Sequence, residues 1–159
     1  MIDKLDFAAR VEKKSETLYR VARTILKNDE DCKDVLQETV LRAWENRGQL
    51  RDTALFSTWI TRILINECHT LARRKRKYLL SDTVDVGAIS NAPDLALQLA
   101  LEGLPEKLRL PLVLHYLEGY TYEQVARMLR IPQATVRGRL SRARAALRME
   151  IDDEQEAQY

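Results

Sequence analysis

Apolar residues recur three or four positions apart through most of the chain, which is the spacing of one face of an α-helix. Between about residues 5 and 78 this spacing predicts three amphipathic helices, separated by polar runs at 28–31 and 46–49. The three helices are marked by Leu18, Val21 and Ile25, by Val35, Leu36 and Val40, and by Ile60, Ile63 and Leu64.

The periodicity fails between residues 79 and 93, where Ser, Asp, Gly, Asn and Pro gather, and it returns from residue 94. We therefore predict an all-α chain of two small helical domains, residues 1–78 and 94–150, joined by a flexible linker at 79–93. Residues 151–159 form an acidic tail.

Residues 120–140 carry the pattern of a helix-turn-helix. Thr121 and Gln124 have the spacing of a capping box at the start of the first helix. Val136, Leu140 and Ala143 form the predicted core face of the second helix. The C-terminal domain is therefore predicted to contain a helix-turn-helix, with a very short turn between its two helices.

Charge is segregated along the chain although the net charge is only +2. Residues 51–80 hold seven Lys or Arg against two Asp or Glu, and residues 109–149 hold eight against two. Residues 81–108 hold one basic residue against five acidic ones. Two basic blocks separated by an acidic one favour two modules that each meet a polyanion, with ordinary solvated helix faces as the alternative explanation.

The exposed face predicted for the second helix of the helix-turn-helix fits the major groove of DNA, because Arg binds both guanine edges and phosphates. A basic solvated helix in a small bundle is the alternative interpretation. Base contacts are expected mainly from the N-terminal positions of such a helix. The predicted DNA contacts are Gln133, Ala134, Arg137 and Arg130 for bases, with Thr135 beside them, and Arg139, Arg142 and Arg144 for phosphates.

Several other classes of protein are disfavoured by the sequence. No apolar run approaches the roughly 18 residues of a membrane span, and the mixed, charged first ten residues do not form a signal peptide. His69 and His115 lack partners at metal or catalytic spacing. The acidic run before Asp34 lacks the glycine that an EF-hand loop needs at its sixth position. We therefore expect a cytoplasmic chain without membrane insertion, enzymatic activity, metal or other cofactor.

Both halves of the chain resemble bacterial sigma factors of the extracytoplasmic function (ECF) group, within the sigma-70 family. The resemblance covers nearly the whole chain, in the family's order and with a linker at the matching place. The matching stretches are residues 31–41, 56–63, Asn66 and the basic run 73–77 in the first half, and 104–109, 117–126 and 135–144 in the second.

Three positions in the helix-turn-helix depart from the family pattern. The family often has Gly where Arg130 stands in the turn, and a left-handed backbone at that position would cost an arginine about 1 kcal/mol. It also often has Ser at Pro132 and Gly at Ala134. These departures concern the fine geometry of base contacts rather than the class of protein.

The resemblance implies a sigma factor that binds core RNA polymerase and directs promoter-specific initiation. The helix-turn-helix would read the −35 element, and the N-terminal domain would melt and hold the −10 element. An anti-sigma factor is implied as a further partner. The implied polymerase contacts, which share one helical face, are Asp34, Gln37, Glu38 and Leu41.

The resemblance also implies −10 contacts from the loop before the third helix and from that helix's exposed side. For Trp59 a core position is favoured over a stacking role, because the residue is in helical register with Ile63. The basic run 73–77 would hold the DNA backbone. The implied −10 contacts are Gln49, Leu50, Arg51, Phe56, Thr58, Trp59, Arg62, Asn66, His69, Arg73, Arg74 and Arg76.

Two further classes remain open from the residues alone. One is a self-sufficient repressor or activator, which would dimerise on half-sites about one helical turn apart. The other is a nuclease with a DNA-binding appendix, which would need clustered carboxylates and a metal. Tight binding to a palindrome without polymerase would favour the first, and metal-dependent cleavage of DNA would favour the second.

Overall fold

The computed structural model describes residues 1–78 and 95–157, with side chains at 1–77 and 97–148. The regular structure in those ranges is helical, which confirms the predicted all-α class. The chain divides into two compact units, one built on the first three helices and the other on the last four. The predicted linker at 79–93 lies outside the described residues, and the predicted domain boundaries stay predictions.

The first unit contains three long helices, α1 (Lys4–Ile25), α2 (Asp29–Glu45) and α3 (Phe56–Tyr78). Two 3-10 turns, Arg47–Gln49 and Thr53–Leu55, connect α2 to α3. The side chain of Asn28 accepts hydrogen bonds from the backbone N–H groups of Glu30 and Asp31 at 2.8 and 3.3 Å, and so caps α2.

Each helix of the first unit packs against the other two. Their apolar faces enclose side chains such as Leu18 and Leu64, which are at most 1% exposed. The Phe7 ring packs edge-on against Trp44 and Phe56, with ring centroids 5.2 and 5.9 Å apart. Burying a side chain of this size contributes about 1.5–3 kcal/mol, so this core holds α2 and α3 in a fixed orientation within the unit.

The second unit contains α4 (Leu95–Gly103), α5 (Glu106–Leu112), α6 (Tyr122–Leu129) and α7 (Gln133–Ala157). Helices α4 and α5 both pack against α7. Leu114, Val125 and Leu140 are fully buried. Over residues 133–148, α7 therefore packs on the rest of its unit through one face and exposes side chains on its other faces.

Pro111 lies inside α5, and a π-helical turn, Val113–Leu117, follows directly. Proline has no N–H for the carbonyl one turn earlier, so the regular hydrogen-bond pattern is interrupted here. In the wider turn that follows, the Glu118 N–H donates to the Val113 carbonyl at 3.0 Å. Gly119, with φ +78°, ends the segment in the left-handed conformation that glycine adopts without strain.

Candidate nucleic-acid interface

The start of α6 shows the capping box expected from the sequence. The backbone N–H of Gln124 donates to the Thr121 hydroxyl at 3.1 Å, and the backbone N–H of Thr121 donates to the Gln124 side-chain oxygen at 2.9 Å. Both donors would otherwise be unsatisfied at a helix N-terminus. The first helix of the helix-turn-helix is thus fixed locally by its own sequence.

Residues 130–132 form the turn between α6 and α7. Arg130 has φ 57° and ψ 46°, the left-handed conformation considered from the sequence. The Ile131 N–H then donates to the Ala126 carbonyl at 3.1 Å, which closes the end of α6. The Pro132 carbonyl accepts from the next turn and starts α7. The chain passes from α6 to α7 in three residues, one of which holds a strained backbone conformation.

The side chains of α7 point in several directions around the helix. Each residue advances about 100° around an α-helix, and Leu140 marks the buried side. Gln133, Arg137 and Arg144, at spacings of four and seven, lie along one flank. Arg139 is about 160° away from Arg137 by the same count and lies on the other flank. The predicted phosphate contacts are therefore distributed over two sides of the helix.

The predicted −35 residues differ in how far their side chains are exposed. Five of them are exposed and three are half-buried. The Arg142 Nε donates to the Gly138 carbonyl at 3.3 Å, so its guanidinium lies back along its own helix. The exposed residues are Arg130, Gln133, Ala134, Arg137 and Arg142, and the half-buried residues are Thr135, Arg139 and Arg144.

Two tyrosines outside α7 contact its arginines. Arg144 donates a hydrogen bond to the Tyr116 hydroxyl, and its guanidinium carbon lies 5.9 Å from that ring's centroid. Hydrogen bonding to the hydroxyls of Tyr116 and Tyr122 raises the pKa of Arg144. The guanidinium carbon of Arg137 lies 5.8 Å from the Tyr122 ring centroid. The sequence reasoning missed both tyrosines, because nothing in their spacing marks them as partners of α7.

A stripe of polar, aromatic and basic residues runs along α3. Its members are separated alternately by three and four residues, so they lie along one side of the helix. Asn66, Arg73 and Arg76 are exposed, and the other members are half-buried. The structure thus brings half of the predicted −10 set onto one surface. The stripe consists of Trp59, Arg62, Asn66, His69, Arg73 and Arg76.

The structure places three predicted −10 residues elsewhere. Leu50, Phe56 and Thr58 are only 7, 2 and 8% exposed. The Phe56 ring packs against Phe7 and, at 5.9 Å between centroids, against Trp59. The family resemblance implied a DNA-binding role for this segment but did not show which way its side chains face. We leave the three out of the proposed contact set and assign them to the core.

The basic end of α3 is divided by one ion pair. Lys75 binds the carboxylate of Asp31 at the start of α2, whereas Arg73, Arg74 and Arg76 are exposed. A cation paired with a carboxylate has part of its charge neutralised. The exposed arginines are therefore the better phosphate ligands of the run.

The predicted polymerase face of α2 is exposed. Asp34, Gln37 and Leu41 are exposed, with 51% of Leu41 accessible, and Glu38 is half-buried. The four positions lie within about 100° of one another around the helix. This surface combines acceptor groups with an apolar contact, which suits a partner surface that carries Arg or Lys.

Arg42 links this face to α3, a feature the sequence reasoning missed. Its Nε lies 3.0 Å from a Glu38 carboxylate oxygen and 2.8 Å from one of Glu67, whose side chain is 15% exposed. The spacing of four between Glu38 and Arg42 could have predicted the first contact. The second needed the packing of α2 on α3.

The acidic start of α2 is occupied by internal contacts. Asp29 accepts from the Tyr19 hydroxyl and pairs with Lys33 at 3.1 Å. The hydrogen bond from Tyr19, followed by that from Lys33, lowers the pKa of Asp29. Within residues 1–77 and 97–148, where side chains are described, no three His, Cys, Asp or Glu side chains form a group that could hold a metal ion. Over the same residues no helix has the length and apolar character needed to cross a membrane.

Comparison with known families agrees with this two-unit arrangement. Residues 11–78 match the family described as sigma-70 region 2, and residues 94–147 match sigma-70, region 4. The fold and the two matches together define a protein of the sigma-70 type.

Individual relatives show to which group of the sigma-70 family the chain belongs. The ECF RNA polymerase sigma factor SigM of Mycobacterium tuberculosis is 32% identical, over 91% of this chain and 76% of the relative. The ECF RNA polymerase sigma-E factor of Escherichia coli is 33% identical, over 74% of this chain and 72% of the relative. The chain therefore belongs to the ECF group of the sigma-70 family.

Two solved structures have the same fold. One is the sigma factor RpoE of Bartonella quintana in complex with the anti-sigma factor NepR, with a TM-score of 0.79 and 24% identity over 92% of this chain and 97% of that one. The other is CnrH in complex with the cytosolic domain of CnrY, with a TM-score of 0.72 and 23% identity over 95% and 90%.

Proposed function

We propose that three helices of this ECF sigma factor have separate roles in initiation. Helix α2 binds core RNA polymerase, α3 holds the −10 element and α7 reads the −35 element. Sigma factors give core polymerase its promoter specificity, and as a family they do not catalyse a reaction themselves. The proposal is carried by the presence, in one chain, of a helix-turn-helix and a separate polar and basic stripe on α3. A repressor needs only the first of these.

For the −35 element, the N-terminal end of α7 enters the major groove. Exposed Gln133, Ala134 and Arg137 are the first side chains to reach base edges, and Arg137 is suited to bind guanine through two hydrogen bonds. Arg139 and Arg142, on the opposite flank, bind phosphates along one wall of the groove. Arg130, in the turn, is a further base contact, and Thr135 and Arg144 contact phosphates or sugars.

For the −10 element, the stripe on α3 contacts the melted strand. Asn66 and His69 supply hydrogen-bonding groups for an unstacked base, and Trp59 supplies part of an aromatic wall. Exposed Gln49 and Arg51 contribute from the loop before α3. The backbone of the strand is held by Arg62, Arg73, Arg74 and Arg76.

The exposed face of α2 docks on core polymerase through Asp34, Gln37, Glu38 and Leu41. The ion pair between Glu38 and Arg42 supports this role, because Arg42 is also held by Glu67 and so orients the Glu38 carboxylate. When a charged pair is buried across an interface between two proteins, truncation of one partner typically weakens binding by about 2–5 kcal/mol.

An anti-sigma factor is the further partner we propose for this chain, which would act in the cytoplasm. RpoE, which shares its fold, was solved in complex with the anti-sigma factor NepR, and CnrH, which also shares it, was solved with the cytosolic domain of CnrY. A protein that covers the face of α2 or the stripe on α3 would block polymerase or DNA binding directly. The exposed charges on both surfaces favour a partner of complementary charge.

Charge reversal at two positions tests the proposal. With core polymerase and a promoter, we expect Arg137→Glu to abolish promoter-specific transcription while polymerase binding is retained. We expect Asp34→Arg to weaken polymerase binding itself. Lys107→Glu, for Arg137→Glu, and Glu12→Arg, for Asp34→Arg, reverse exposed charges outside the proposed contacts and serve as matched controls. If both test variants transcribe as well as the controls, the proposed contacts are wrong.

A further inference from the structure

Three aromatic rings form a short stack at the helix-turn-helix, with interplanar angles of 75° for one pair and 39° for the other. The His115 ring lies between Tyr116, with ring centroids 4.7 Å apart, and Tyr122, with ring centroids 4.6 Å apart. His115 belongs to the π-helical turn, whereas Tyr122 is the first residue of α6. The stack therefore joins two elements of the second unit next to the recognition helix.

His115 is held firmly in this stack. Its Nδ1 lies 2.7 Å from the Tyr120 carbonyl oxygen. A carbonyl oxygen only accepts, so Nδ1 donates and the ring's tautomer and orientation are both fixed. The wider turn that follows Pro111 places the ring at this point. Tyr122 thus packs against a partner that does not rotate freely.

Tyr122 in turn contacts the recognition helix. The guanidinium carbon of Arg137 lies 5.8 Å from the Tyr122 ring centroid, within the range of a cation–π contact. Arg137 is otherwise exposed, and a free arginine side chain samples many rotamers in solution. A contact that limits those rotamers before binding reduces the entropy lost when the guanidinium meets a base.

We propose that Tyr122 is a specificity-determining positioning residue, whose ring, held by His115, orients the Arg137 guanidinium for its base contact in the −35 element. The inference rests on the proposed role of Arg137 as a base reader. Tyr122 itself touches no base in this scheme. It acts through Arg137, so its removal relaxes base preference at the position that Arg137 reads.

The neighbouring pair Tyr116 and Arg144 provides a contrast within the same stack. Tyr116 also packs on His115 and also contacts an arginine of α7, but Arg144 is assigned to phosphate. Loss of a phosphate contact weakens binding about equally for every sequence. Removal of Tyr122 is therefore expected to change base preference, and removal of Tyr116 to weaken binding to every sequence, although both removals disturb the same stack.

The test uses the full chain with core polymerase and a promoter library randomised in the −35 element. Base preference at each position is measured as the ratio of transcription from the best base to that from the others. The position read by Arg137 is defined as the one where Arg137→Ala lowers this ratio. The other variants are Tyr122→Ala, Tyr122→Leu, Tyr122→Phe, Tyr116→Ala and the double change of Tyr122→Ala with Arg137→Ala.

We expect Tyr122→Ala and Tyr122→Leu to lower the preference at that one position by about two- to fivefold, the size of an exposed cation–π contact. Tyr122→Phe keeps the ring and should keep the preference, although it loses the hydroxyl that binds Arg144. Tyr116→Ala should lower transcription from all sequences alike. In the Arg137→Ala background, Tyr122→Ala should change the preference no further.

Three results would overturn the inference, and they are distinguishable. If Arg137→Ala leaves every preference unchanged, the proposed base contact fails and the positioning role fails with it. If Arg137→Ala lowers a preference but neither Tyr122→Leu nor Tyr122→Ala does, only the positioning role fails. If Tyr122→Leu lowers transcription equally for all sequences, Tyr122 acts through folding or through Arg144 and not through Arg137. Leucine keeps apolar bulk against His115, so the test survives an alanine variant that does not fold.

Discussion

Arg130 combines a backbone strain and a proposed DNA contact in one residue, and the two can be separated by mutation. It holds φ 57° and ψ 46° at the end of α6, and it is the one non-glycine residue with positive φ among the described residues. Its side chain is exposed. Replacement by glycine relieves the strain, whereas replacement by alanine keeps it, and both remove the guanidinium.

The expected size of the effect follows from the conformation. A side chain in the left-handed region costs about 1–2 kcal/mol of stability. Glycine avoids that cost but lowers stability by about 0.5–1 kcal/mol, because it increases the entropy of the unfolded chain. Arg130→Gly should therefore be about 0.5–1 kcal/mol more stable than Arg130→Ala. For a unit of this size, that corresponds to a rise in Tm of roughly 2–8 °C.

Calorimetry measures this difference in the full chain. Both tryptophans, Trp44 and Trp59, lie in the first unit, so tryptophan fluorescence identifies that unit's transition and the remaining transition belongs to the second. For DNA, the two variants should lose the same affinity for a −35 element, because both lack the guanidinium. An alanine variant as stable as the glycine variant would refute the reasoning about the turn. Unchanged DNA affinity in both would remove Arg130 from the contact set.

Three further predictions concern capping, ionisation and phosphate binding. Asn28→Ala should destabilise the first unit by about 1 kcal/mol, because α2 loses its N-cap, whereas Asn28→Asp keeps a capping side chain and should not. Denaturation followed by tryptophan fluorescence compares the two variants. Equal stability of the two would contradict the capping role. Burial raises the pKa of Cys32 from 9.0 to about 11. The unfolded thiol therefore ionises first, and the free energy of unfolding should fall with rising pH between about 9 and 11, by up to about 1.4 kcal/mol per pH unit. Cys32→Ala should remove this part of the slope, and a slope identical in both proteins would argue against it. Arg142→Gln should reduce the salt dependence of −35 binding by about 0.9 in the log–log slope without altering base preference, and an altered preference would mean that Arg142 reads a base.

Local signals in the sequence predicted much of the helical framework. The capping box of Thr121 and Gln124 and the cap at Asn28 depend on residues two or three positions apart, so spacing alone identifies them. The left-handed turn at Arg130 was considered because a family pattern and a known backbone cost point to the same position. Such features are decided within a few residues of the chain.

The parts that could not be predicted depend on packing between elements. Phe56 follows a loop that the resemblance assigned to DNA, yet its ring is enclosed against Phe7 of another helix. Pro111 interrupts the regular helical hydrogen bonds, but the π-helical turn that positions His115 also requires the hydrogen bonds that close after it. The contact between Tyr122 and Arg137 joins residues fifteen positions apart and has no sequence signature.

The central claim is that one chain gives core RNA polymerase its choice of promoter through two separate DNA-binding surfaces. Sequencing of run-off transcripts made by core polymerase and this chain on fragments of its own genome tests it most directly. We predict start sites that follow a shared two-part motif, with a spacer of constant length between a −35 and a −10 element. Transcripts that do not depend on the chain, or start sites that share no such motif, would contradict the account.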